Sequence, residues 1–158
     1  MAITLIVNPG SSSKKYALFS ADKLLLSAHL EQTNNGLLLC TSFDSARQQC
    51  DTGAVTALTD GLSYFLTLAK QLKQIANEAE IKVVAVRVVA PGSFFQAHRV
   101  IDTTYRTHLK AASALAPLHI PPTEKEINQL LKILPQAKLI GVSDSAFHRS
   151  HQVVAGHY

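Results

Sequence analysis

Ile3-Thr4-Leu5-Ile6-Val7-Asn8-Pro9-Gly10-Ser11-Ser12-Ser13-Lys14-Lys15-Tyr16-Ala17-Leu18-Phe19 is an apolar strand that runs into a Pro-Gly turn studded with hydroxyls and then returns as a second, alternating strand. The pattern predicts paired strands over residues 2–8 and 15–20, joined by a turn built to grip phosphate. A glycine at position 10 has access to backbone angles closed to other residues, so peptide N–H groups of the turn can converge on an anion. Ser11, Ser12 and Ser13 add hydroxyl donors, and Lys15 supplies positive charge. An ordinary Gly/Ser β-turn has the same local composition, so the turn by itself leaves both readings open.

Outward from this hairpin the strand pattern continues. Ala21-Asp22-Lys23 predicts a tight reversal into a third strand, Leu24 to Gln32. Asn34-Asn35-Gly36 is a hairpin signal leading into a strand from Leu37 to Thr41, and the polar stretch from Ser42 to Gly53 reads as a loop. Between Ala54 and Glu80 the period changes: Leu58, Leu62, Phe65, Ala69, Leu72 and Ala76 recur at helical spacing, which predicts one long amphipathic helix weakened slightly by Gly61. Ile81 to Val89 is a continuous β-branched run, the mark of a strand buried on both faces of a sheet. Val100-Ile101 adds a short strand, and Thr103 to Leu115 reads as helical until Pro121-Pro122 ends that region. Thr123-x-x-Glu126 reads as a capping box opening a helix with Ile127, Leu130, Leu131 and Leu134 on one side. A short buried strand, Lys138 to Val142, then delivers Asp144 at its C-terminal end. A meander followed by alternating helix and strand implies an α/β fold, a mixed sheet with helices packed on its faces.

The 158 residues have the length of one domain, and 47% hydrophobic against 16% charged residues describes a folded globule. The net charge of +4 and pI of about 9.2 come from scattered lysines and arginines, with no basic block interleaved with aromatics, so nucleic acid is not the expected partner. No signal-peptide core and no bilayer-length apolar run is present; the expectation is a cytoplasmic protein that does not engage a membrane. Cys40 and Cys50 lack metal spacing and read as reduced, unpaired thiols. His29, His98, His108, His151 and His157 also lack metal spacing and read as surface residues.

Two further residues carry candidate chemistry. Arg87 sits near the end of a buried apolar strand, where an unpaired charge is costly, so it reaches solvent or meets an anion. Its guanidinium fork suits carboxylate or phosphoryl oxygens, and a salt bridge at the strand end would satisfy it equally. Asp144 follows a strand, the usual place for polar functional groups in open α/β sheets, although a turn or N-cap aspartate also occurs there.

The whole string resembles the opening of the acetokinase family of short-chain carboxylate kinases, through Asn8, Gly10, Ser11, Ser12, Ser13, Lys15 and Tyr16. Three echoes follow in the family's order: Arg87-Val88-Val89, then Ala116-Pro117-Leu118-His119 with Pro121, then Asp144-Ser145-Ala146-Phe147-His148. The resemblance covers residues 2–151 and implies the ribonuclease-H-like core shared by sugar kinases, actin and the acetokinases. Residues 1–158 then correspond to a single ribonuclease-H-like domain equivalent to the N-terminal domain of such a kinase, with the second domain absent from them. It implies ATP and Mg2+ as cofactors and acetate or a similar short-chain carboxylate as substrate. Arg87 and Asp144 take the catalytic positions, Gly10, Ser11, Ser12, Ser13 and Lys15 contact phosphate, and Asn8 contacts the metal's water or the phosphate. Val88, Leu118 and Pro121 line the acyl pocket, while His119 reads as a loop residue and His148 takes no role. Around Arg87 the chain departs from the pattern: Val86 replaces the usual His, and Ala90-Pro91-Gly92 replaces His-Gly-Gly, with Pro91 removing an N–H.

The expected function is therefore phosphoryl transfer from ATP to a carboxylate, with the 158-residue chain inactive alone. The alternative is a non-catalytic kinase-like module that binds phosphate, a carboxylate or a partner subunit. A ribonuclease-H-type nuclease would need several carboxylates at the sheet centre, where Asn8 stands instead. Open apolar side chains around Val88, Leu118 and Phe147 are expected to favour self-association.

Overall fold

The computed structural model describes residues 2–43 and 48–146. Four strands, β1 (Ile3–Pro9), β2 (Ser13–Ser20), β3 (Lys23–Thr33) and β4 (Gly36–Phe43), form the antiparallel meander that the turn signals predict. The expected loop over 42–53 instead contains a fifth strand, β5 (Gln49–Thr52), paired antiparallel with β4. Its residues are all exposed and carry no alternating apolar pattern, so nothing in the local sequence marks it as a strand. Register decides the cysteines as well. Cys40 and Cys50 face each other across this ladder and form a disulfide, against the expectation of free thiols.

The long helix expected over 54–80 is shorter: α1 spans Gly61–Gln71 after a 3-10 turn at Leu58–Asp60. It stops because Lys73 takes a left-handed φ of 55°, with Lys73 N–H bonded to Lys70 O and Gln74 N–H to Ala69 O, the two bonds of a Schellman end. Ile75 beyond it is buried and Ala76 is exposed, so the helical spacing past Leu72 is coincidental. Gly61 marks a close approach rather than a weak point, since a Cβ there would stand 2.9 Å from Leu30 Cδ2.

Strand β6 (Ile81–Val88), the two-residue β7 (Arg99–Val100), helices α2 (Thr103–Ala111) and α3 (Ile120–Ile133), and β8 (Lys138–Ser143) complete the element order. Pro121 and Pro122 open α3 instead of ending the preceding region, in keeping with a first turn that has N–H groups to spare. The eight strands lie in one mixed sheet of order β5-β4-β3-β2-β1-β6-β8-β7. β1, β6 and β8 are mutually parallel, and all the other pairings are antiparallel.

The helices pack on a single face. Leu5, Val7, Tyr16, Leu18, Leu30, Val84, Val86 and Leu139 point toward it and form the core with Leu62, Phe65, Leu66, Tyr105, Leu109, Ile127 and Leu130. Gly141 lies under Tyr105, where a Cβ would come within 2.3 Å of the phenol oxygen. On the opposite face Ile6 and Arg87 are exposed and Val83 and Ala85 half-buried, so among the described residues β6 is covered on one side, not both. Val88 belongs to the helix side and is only 2% exposed, which removes it from the open surface expected of it; Leu118 is 70% exposed, and Phe147 lies outside the described residues.

Closing the β4–β5 loop with the Cys40–Cys50 bridge restricts the unfolded chain by about 2–3 kcal/mol for a loop of this size. Reduction is expected to lower the unfolding free energy obtained from urea titration by that amount and to speed amide exchange in residues 49–52, with β1 and β6 unchanged. Equal stability of the oxidised and reduced chains would contradict the pairing.

Candidate functional site

The parallel strands β1, β6 and β8 end at the same edge of the sheet. Asn8 and Pro9, Arg87, and Asp144 arrive there together, although they come from distant parts of the chain. The serine turn closes over them. Asn8, Gly10, Ser11, Ser12, Ser13, Lys15, Arg87 and Asp144 all line one cleft of about 390 Å³, joined by Val89, His119 and Thr123. Crevices beyond the carboxyl ends of parallel strands are the usual ligand sites of open α/β sheets.

Gly10 is needed for space rather than for a left-handed backbone. Its N–H donates to Ser13 O at 2.8 Å, folding the turn back on itself, and a Cβ on residue 10 would stand 2.7 Å from that same carbonyl oxygen. This corrects the sequence expectation on two counts: the Gly10 φ is ordinary, and its N–H is spent inside the turn. The turn presents Ser11, Ser12 and Ser13 and the exposed Lys15 to the cleft, and Lys15 has no ion-pair partner among the described residues.

Arg87 and Asp144 form an ion pair at the cleft wall. Arg87 donates from Nε at 2.8 Å and from Nη2 at 2.7 Å, both to Asp144 Oδ1. The arginine side chain is still 46% exposed, which leaves the guanidinium accessible from the cleft. An exposed pair of this kind contributes little stability, about 0–1 kcal/mol. Its value is geometric. Asp144 is held from behind by Ser143: Ser143 N–H donates to His98 Nδ1 at 3.0 Å, the Ser143 hydroxyl donates to Phe95 O, and the same hydroxyl accepts from Ala146 N–H at 3.0 Å. Gly92, at φ 103°, turns the chain after Pro91, and Phe95 N–H donates back to Gly92 O at 3.2 Å. The Ala90-Pro91-Gly92 segment thus starts the loop whose far end anchors the residue before Asp144.

Leu118 and Pro121 share a second depression of about 330 Å³ with Pro117, Pro122 and Leu58. It adjoins the cleft through Gly10 and Ser11, which line both. Val88 reaches neither, because strand alternation turns it into the core while Arg87 faces out.

Three residues, His119, Thr123 and Glu126, stand in places that the sequence alone does not assign them. His119, taken for a loop residue, and Thr123, taken for a cap, line the cleft, and the Thr123 hydroxyl donates to His119 O at 2.8 Å. Glu126, taken for the other half of a capping box, is wholly buried in α3, where it accepts from Lys14 Nζ at 2.5 Å and from Tyr16 Oη at 2.8 Å. Burial, with this carboxylate beside it, pushes the Tyr16 phenol far above its ordinary range, so the hydroxyl stays protonated and donates. The signal was present in the spacing: Glu126 falls in the apolar stripe of α3 beside Ile127 and Leu130, and Lys14 alternates with Lys15.

A hard divalent cation bound only by protein needs several oxygen ligands. Among the described residues no group of three His, Cys, Asp or Glu side chains is placed to hold a metal. The cleft offers the Asp144 carboxylate and the Asn8 amide, a set that fits Mg2+ carried mainly by phosphate oxygens and water.

The family model described as the Acetokinase family matches residues 3–158. Acetate kinase 1 of Lactococcus lactis subsp. lactis is 33% identical over 150 residues, 94% of this chain and 38% of that protein. The acetate kinase of Borrelia garinii subsp. bavariensis is 31% identical over 152 residues, 92% of this chain and 38% of that protein. The crystal structure of Porphyromonas gingivalis acetate kinase superposes with a TM-score of 0.82 at 26% identity, covering 93% of this chain and 38% of that one. A propionate kinase from Francisella tularensis superposes with a TM-score of 0.80 at 25% identity, covering 95% and 38%. The chain thus spans less than half the length of these relatives.

Gly10→Ala is expected to lower stability by about 1–3 kcal/mol in urea unfolding, because the clash is with backbone and no side chain can move aside. Parental stability would show that the turn has room there.

Proposed function

The chain belongs to the acetokinase family, and from that membership and the cleft geometry we propose that it supplies the phosphoryl-gripping half of a short-chain carboxylate kinase. The observation that supports this reading best is the convergence of Ser11–Ser13, Lys15, Arg87 and Asp144 on one strand-end cleft. Transfer of a phosphoryl group from ATP to acetate or a similar acid needs alignment and charge neutralisation more than covalent help from the protein. In this reading residues 1–158 act as one ribonuclease-H-like domain, equivalent to the N-terminal part of the longer relatives.

The roles follow from chemistry. The serine hydroxyls and Lys15 hold phosphoryl oxygens. Arg87, half exposed and clasped at Nε and Nη2 by Asp144, presents its remaining donors to the carboxylate and to the group in transit. Asp144 orients that guanidinium and, with Asn8, completes the shell of the cation. Mg2+ bound there supplies neutralisation of phosphate charge. Leu118 and Pro121 offer an apolar wall for a short acyl chain, without Val88. ATP as donor implies a cytoplasmic setting, where the Cys40–Cys50 pair meets reductants. Exposed Leu118, on the wall of the second depression, and exposed Leu115 offer apolar surface through which copies would associate.

Two outcomes test the proposal. In a hydroxamate assay with ATP and acetate, propionate or butyrate, the complete gene product is expected to form acyl phosphate. The 158-residue chain alone is not, since lost alignment removes roughly 7–11 kcal/mol of barrier lowering. No acyl phosphate from the complete protein with any of the acids would favour a phosphate-binding module instead. In that active protein Arg87→Ala is expected to lower kcat about 100- to 1,000-fold with nucleotide affinity little changed, because its contacts strengthen as charge develops on the transferred group. Near-parental kcat would remove Arg87 from the site.

A further inference from the structure

The adjacent lysines after the serine turn serve opposite sides of the sheet. Lys15 stands in the cleft, and Lys14 is turned beneath it, buried against α3, with Glu126 Oε2 at 2.5 Å from its ammonium. The other carboxylate oxygen accepts from Tyr16, two residues further along the same strand. A buried ion pair is a poor source of stability, because desolvating two charges offsets most of their attraction and apolar side chains of similar volume do as well. A register is something it can supply. One carboxylate bonded to residues 14 and 16 of β2 makes both bonds at only one position of α3 along the strand. One helical turn upstream, the same helix carries Thr123 into the cleft, and His119 precedes it, tied to Thr123 through its carbonyl.

We propose that Glu126 is a positioning residue: through Lys14 and Tyr16 it fixes the spacing between the serine turn and the first turn of α3, and so the shape of the anion cleft between them. The proposal rests on the reading that the serine turn binds phosphoryl oxygens. Its structural content, a turn held in place by a carboxylate outside the cleft, is separable from that reading.

The test uses the 158-residue chain, inorganic phosphate as probe, and the variants Glu126→Gln and Lys14→Met/Glu126→Leu. Glu126→Gln leaves the Lys14 ammonium buried without a counter-charge and is expected to melt well below the parent; an unchanged melting point would contradict the pair. The double variant replaces the buried charges with apolar side chains and leaves only the neutral Tyr16 hydroxyl without its acceptor, so it is expected to melt below the parent but above Glu126→Gln, yet to bind phosphate about tenfold more weakly and to exchange the Gly10 amide about tenfold faster. A folded double variant with parental phosphate affinity and Gly10 exchange would overturn the proposal. Should the parent bind no phosphate, the anion-site reading fails, while faster Gly10 exchange in the double variant would still support the positioning role. Should the double variant not fold, Tyr16→Phe, which deletes one of the two bonds and no charge, carries the same expectation for Gly10 at smaller amplitude, and unchanged exchange there overturns it.

Discussion

The site depends on the pairing of β1, which is antiparallel to β2 on one side and parallel to β6 on the other. The parallel side extends to β8, so three strand ends open at one edge, and the chain's polar residues at those ends meet there. The antiparallel side holds the serine turn in place, because β2 must fold straight back from Pro9. A strand flanked in this way is a switch point in the sheet, the place where open α/β sheets leave a crevice. Arg87 and Asp144 would be unremarkable surface charges on any other strands. On β6 and just after β8 they stand beside the turn, within reach of one another and of a shared anion.

Burial divides the work among the charged residues. Groups on the cleft side stay exposed or half exposed, as Lys15 and Arg87 do, and remain available to a ligand. Groups on the helix side are sealed: Lys14, Tyr16 and Glu126 satisfy one another, in surroundings where an unpaired ionised group would be prohibitively unfavourable. Alternation along β2 makes this division possible within three consecutive residues. Ser143 does the same on the other flank, turning its backbone and hydroxyl to His98 and Phe95 while the next residue faces the cleft.

Much of this was legible in the sequence, and the parts that were not have physical causes. The meander, β6 and β8 follow from turn chemistry and β-branched runs, and the cleft residues Asn8, Gly10–Ser13, Lys15, Arg87 and Asp144 were all found by motif. β5 was not, since an exposed edge strand without apolar alternation is specified by its partner and by a disulfide whose register no local pattern reveals. The end of α1 was missed because a lysine took the left-handed position that glycine usually marks. Thr123 and Glu126 fitted a capping box on paper, yet the helix begins earlier at Ile120, which moves both residues from its first contacts with solvent into packed positions. Family position assigns Val88 to the acyl pocket, whereas its strand parity puts it in the core.

The central claim is that the ends of β1, β6 and β8, with the serine turn over them, form one phosphoryl-binding cleft. It is tested most directly by titrating the 158-residue chain with inorganic phosphate while following backbone and arginine side-chain resonances. The account predicts that the amides of residues 11–13 and the Arg87 Nε signal move together with one dissociation constant, while residues 36–43 and 49–52 stay still. Signals at the turn and at Arg87 that do not move, or that titrate with unrelated constants, would contradict it.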